Sequence, residues 1–81
     1  MKAKEMVREA QAVLNDNDIF ADVYQNKDSI ICVEIRWGDW KHEHLRADVL
    51  LMDKLGLECV AKEVTEENGS DCYSAIHYYR K

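Results

Sequence analysis

Between Ala3 and Leu14 the apolar residues Ala3, Met6, Val7, Ala10, Val13 and Leu14 recur at helical spacing and fall within about 120° of one another around a helix axis. This predicts an amphipathic helix. The run Asn15-Asp16-Asn17-Asp18 ends it, because short polar side chains compete with the helix for backbone hydrogen bonds. Ile19 to Gln25 then reads as a strand, Asn26-Lys27-Asp28-Ser29 as a turn, and Ser29 to Trp37, rich in β-branched residues, as the second strand of a hairpin. Asp39 is a good N-cap for a second helix from Trp40 to Leu55. Gly56 sits where a left-handed C-terminal cap belongs, with Leu57 as its apolar contact. Glu58 to Glu66 and Asp71 to Arg80 flank Asn68-Gly69, a strong signal for a two-residue hairpin turn.

Helix and hairpin thus occur twice. An offset of 38 residues places Val7 on Leu45, Val13 on Leu51, Leu14 on Met52 and Ile19 on Leu57. The expected architecture is a single α+β domain over residues 1–81, an αββαββ pseudo-repeat with half-repeats at roughly 2–37 and 39–80. Its four strands would form one antiparallel sheet with both helices packed on one face.

Composition narrows the functional classes. Eleven Lys and Arg against sixteen Asp and Glu give a net charge of −5, which lacks the basic footprint that phosphate backbones demand, so direct nucleic-acid binding is not expected. The longest apolar run, Val49 to Met52, is far short of the roughly 20 residues of a spanning helix, and Met1-Lys2-Ala3-Lys4-Glu5 has no signal-like apolar region. No membrane contact and a cytoplasmic location follow as expectations. Cys32, Cys59 and Cys72 are an odd number without C-x-x-C spacing, and read as reduced, packed thiols.

A two-residue turn at Asn68-Gly69 would pair Thr65 with Cys72, Glu63 with Ser74, Ala61 with Ile76 and Cys59 with Tyr78. Both faces of both hairpins then carry apolar groups, and two short helices cover only one of them. An exposed aromatic sheet face is therefore expected, with Phe20, Tyr24, Ile31, Val33 and Trp37 from the first hairpin and Tyr73, His77 and Tyr79 from the second. It suggests a small interaction module whose partner is a protein, either a second copy or another subunit of an assembly. An acidic surface of Glu58, Glu63, Glu66, Glu67 and Asp71 gives an alternative, an inhibitor imitating nucleic acid on a basic groove of its target.

Catalytic signals are sparse: there is no G-x-S-x-G elbow and no Gly-rich phosphate loop. His44 and Asp48, four apart on the second helix, are the weak catalytic candidates, the carboxylate orienting an imidazole base. Asp48 falls within a broad apolar sector, where an ionised carboxylate needs a partner. No cofactor and no metal site are expected. Cys72 and His77 point to opposite faces of one strand, Cys59 and Cys72 lie far apart along the hairpin, and His42 and His44 diverge around the helix axis.

Overall fold

A computed structural model of the chain describes residues 2–27, 29–35, 40–66 and 73–81. The elements run α1 (Ala3–Asp16), β1 (Asp22–Lys27), β2 (Ile30–Ile35), α2 (Trp40–Leu55), β3 (Glu58–Glu66) and β4 (Tyr73–Arg80). The strands form one antiparallel sheet in the order β1-β2-β4-β3, so the second strand of each half meets the other at the centre. Both helices cover one face, giving the expected α+β architecture in the αββαββ order. Among the described residues, no helix is long and apolar enough to cross a membrane.

The core follows from the two periodicities. Met6, Ala10 and Leu14 of α1 and Ala47 and Leu51 of α2 meet Ile31, Val33 and Ile35 of β2 and Tyr79 of β4. Both helices end in left-handed caps. Gly56 has φ +67°, its N–H bonds the Met52 carbonyl at 2.9 Å, and the Leu57 N–H reaches back to Leu51 at 3.1 Å. Asp18 has φ +59°, and the Ile19 N–H caps α1 by bonding the Leu14 carbonyl at 2.9 Å. Ile19 is thereby committed to the cap and buried, so β1 starts at Asp22 and not at Ile19. The Gln11 side chain then stitches edge strand β1 to α1, donating to the Ala21 carbonyl at 3.0 Å and accepting from the Val23 N–H at 3.3 Å.

Two registers differ from expectation. In the first hairpin Val23 lies opposite Val33 and Tyr24 opposite Cys32, so Val23 joins the core face while Tyr24, Ile30 and Cys32 share the open one. In the second, Thr65 pairs with Ser74, Glu63 with Ile76 and Ala61 with Tyr78, two residues away from the pairing a turn at Asn68-Gly69 would impose. That turn itself lies outside the described residues. A shift of two leaves every side chain on its own face, so hydrophobic alternation cannot detect it. A bulge between Cys59 and Ala61 matters more: it sets Cys59 opposite Tyr79 and turns it onto the face that the helices cover.

Candidate functional site

Asp48 stands midway along α2, on the margin between the side buried against the sheet (His44, Ala47, Leu51) and an outer stripe of exposed apolar residues (Leu45, Val49, Met52). Its carboxylate is 22% exposed and reaches over β4. Tyr79 donates its hydroxyl to Asp48 Oδ1. His77 Nδ1 is 3.1 Å from the same oxygen, and since a carboxylate only accepts, that nitrogen carries the proton. Lys62 Nζ lies 4.0 Å from Oδ2. Burial alone would raise the Asp48 pKa, but the hydrogen bonds from His77 and Tyr79, with the charges of His77 and Lys62, outweigh it and hold the carboxyl below its ordinary value. In return, burial and then the bond to Asp48 push the Tyr79 phenol far up.

Cys59 completes the cluster from β3. Its Sγ is 3.8 Å from His77 Nδ1, and its thiol donates to the Ala61 carbonyl at 3.5 Å. Burial, followed by the Asp48 charge, pushes that thiol above its usual pKa. Asp48, Cys59 and His77 thus present one ligand atom each, all within 4.8 Å of one another.

His44 lies beneath this group, its ring stacked on that of His77 with centroids 3.7 Å apart and an interplanar angle of 14°. Its Nε2–H donates to the Ala75 carbonyl at 2.9 Å, and its buried Nδ1 has no partner among the described residues. Burial lowers the His44 pKa to about 4, with His77 and Lys62 acting in the same direction against the Ala75 hydrogen bond and Asp48. The ring is neutral at physiological pH. Asp48 therefore orients His77, not His44, and the expected His44–Asp48 couple is not formed: His44 is held by a backbone carbonyl of β4.

A Cys-His-Asp arrangement invites comparison with nucleophilic triads. There the base faces its nucleophile through one ring nitrogen and its carboxylate through the other. Here Cys59 and Asp48 both address His77 Nδ1, so no proton relay runs through the ring. The three side chains instead gather possible ligand atoms within 4.8 Å of one another.

The expected aromatic sheet face is corrected by burial. Ile31, Val33 and Tyr79 are fully buried and His77 is 7% exposed, because the helices cover the face that carries them. Tyr24 remains on the open face, where it and Tyr78 flank Cys32 in one cross-strand row and leave that thiol buried. Phe20, 85% exposed, lies in the connection before β1. Trp37 and the Tyr73 side chain lie outside the described residues. Of the acidic group, Glu58 and Glu63 are exposed on β3, and Glu63 accepts the Tyr78 hydroxyl at 2.7 Å, which pushes that phenol up to about 12. Glu67, Asp71 and the Glu66 side chain also lie outside the description.

Sequence reasoning missed Cys59, Tyr79 and Lys62 as neighbours of Asp48. The one signal present was the carboxylate set in an apolar sector, which required partners without naming them. No protein-family model matches this chain, and neither a curated protein nor a solved structure is similar to it.

Proposed function

We propose that the chain is a small protein-interaction module that pairs with a second copy of itself through the outer stripe of α2. Leu45, Val49 and Met52 carry this reading, being 63%, 68% and 58% exposed although all three are large and apolar. Their spacing of four and then three residues matches d, a and d of a heptad, the apolar repeat of a helix-on-helix seam. Val64 of β3, also exposed, shares a shallow groove with Leu45 and widens the apolar surface.

Charge supports a second copy as the occupant. Beside the stripe, Lys41 and Arg46 lie toward the N-terminal half of α2 and Asp53 toward its C-terminal end. Antiparallel pairing about a two-fold axis near Val49 sets these unlike charges side by side and opposes the two helix dipoles. An isologous contact needs the chain to complement only itself. The interface thus moves from the sheet to the helix, because the helices already cover the richer sheet face. A reducing, cytosolic setting accords with the free thiols of Cys32 and Cys59.

Molar mass by light scattering over a range of concentration and salt tests the reading. A mass of twice the chain that survives salt, and that falls to the monomer in Val49→Asp with its circular dichroism unchanged, is the expected result. A monomer at every concentration refutes self-association. A dimer that persists in Val49→Asp but dissociates in Tyr24→Ala returns the interface to the open sheet face.

A further inference from the structure

We infer that Asp48, Cys59 and His77 form a three-donor site for a zinc-class divalent ion, with a fourth position left for water or an incoming ligand. The donor set is the first ground: a thiol sulfur, an imidazole nitrogen and a carboxylate oxygen are the three ligand types of tetrahedral zinc. Spacing is the second. Tetrahedral bonds of about 2.3 Å to sulfur and about 2.0–2.1 Å to nitrogen and oxygen set the ligand atoms roughly 3.6 Å (S···N) and roughly 3.3 Å (N···O) apart. The corresponding separations here are 3.8 Å and 3.1 Å. Those two edges need adjustments of a few tenths of an ångström, and the third, between Cys59 Sγ and the Asp48 oxygen, lies within 4.8 Å and closes to roughly 3.6 Å around an ion.

Convergence on a single nitrogen is the third ground. Cys59 Sγ and Asp48 Oδ1 both approach His77 Nδ1; an ion bound there would replace the proton that Nδ1 donates to Asp48, the ring taking its Nε2–H tautomer and the Cys59 thiol giving its proton to solvent. The surroundings are those of a supported site. His44, stacked on His77, sets the plane of the ligating ring, and Tyr79 donates to the ligating carboxylate, as outer-shell partners of metal ligands do. Each donor comes from a different element, α2, β3 and β4, so an ion would tie the helix to the edge of the sheet. Lys62 opposes it: its ammonium, 4.0 Å from Asp48 Oδ2, is the cation that an ion must displace, and its side chain is 59% exposed and free to swing away.

The site adjoins the α2 stripe, since His44, Lys62 and His77 line the groove that Leu45 and Val64 share, but its test reads ligation and not association. The reduced full chain is titrated with cobalt(II), which reports thiolate ligation by a near-ultraviolet charge-transfer band and tetrahedral geometry by intense visible absorption. The expected result is a thiolate band that saturates at one ion per chain and is abolished by zinc. In Cys59→Ser the band disappears and binding weakens at least about a hundredfold, more than loss of an outer-shell partner costs. Cys32→Ser and Cys72→Ser retain the band, and Lys62→Met tightens binding severalfold by removing the competing cation. A folded wild-type chain that gives no thiolate band overturns the site, as does a band that persists in Cys59→Ser or vanishes in Cys72→Ser. Because the wild-type titration decides by itself, a variant that fails to fold does not shelter the inference.

Discussion

Burial of His44 makes stability depend on pH between the pKa of the ring in the unfolded chain and its lowered value in the folded one. Unfolded, it binds a proton with a pKa of about 6.5; folded, its pKa is lowered to about 4 by burial. Protonating the native ring would place a second N–H at buried Nδ1, which meets no acceptor among the described residues. The unfolded chain therefore binds more protons than the native one below pH ~6.5, and stability falls as pH drops toward ~4. The loss works out to about 2 kcal/mol at pH 5 relative to pH 8, approaching about 3 kcal/mol below pH 4. Urea unfolding at pH 8, 6 and 5 measures it, as a fall of roughly 1–2 M in the midpoint at the slopes usual for small domains. His44→Gln supplies the control. Its amide N–H can still donate to the Ala75 carbonyl, and it does not titrate. Although less stable at pH 8 for want of the stacked ring, the variant should show a profile about 2 kcal/mol flatter between pH 8 and 5. Asp48 of α2, Lys62 of β3 and His77 of β4 face His44, and all three are retained in the variant. Equal slopes in the two proteins would refute the assignment of a neutral, proton-excluding His44.

Tyr79→Phe removes the hydroxyl donor to Asp48, and should cost about 1–3 kcal/mol in chemical denaturation while raising the Asp48 pKa measured by NMR. Leu51→Ala, at a fully buried core position, should cost about 2–5 kcal/mol and lower the melting temperature accordingly, whereas Phe20→Ala, in the exposed connection before β1, should stay within about 0.5 kcal/mol. Gly56→Ala introduces no clash, since apart from its chain neighbours no described residue lies within 4 Å of the added Cβ, but it forces a side chain to φ +67° and should cost about 1–2 kcal/mol by urea titration.

The architecture was legible because the two hydrophobic periods change where the turn residues fall. Met6, Ala10 and Leu14 repeat at helical spacing and are buried; Ile31, Val33 and Ile35 repeat at strand spacing and are buried with them. Gly56 announced a cap that Leu57 completes by burial. What alternation cannot supply is which face of a two-sided apolar strand the helices choose. Ile31 and Cys32 read alike, and both are buried, one beneath the helices and the other on the open face between tyrosines. The α2 stripe was masked in a similar way. Leu45, Val49 and Met52 lie in the same broad sector as Leu51, and nothing in the spacing says where the core side ends. Asp48 marks that margin.

The candidate site shows most clearly how far a sequence reads toward geometry. Strict alternation from an Asn68-Gly69 turn separates Cys59 from His77, onto opposite faces of the hairpin, and on those terms no common ligand exists. Slipping the register by two would not have changed this, because a shift of two preserves the faces. One extra residue does: the bulge between Cys59 and Ala61 reverses the parity of β3 below it and carries Cys59 to the side where Asp48 descends from α2. Bulges recur where a strand must re-aim a side chain, and here the re-aimed side chain is the sulfur of the cluster. Without the bulge, Asp48, His77 and Tyr79 would still account for the buried carboxylate, since His77 and Tyr79 bond Asp48 directly and Lys62 stands nearby. Cys59 adds nothing to that need for partners. Its arrival beside His77 Nδ1, at the cost of a broken ladder, packs the sulfur against the core and also sets it where ligation of an ion would use it.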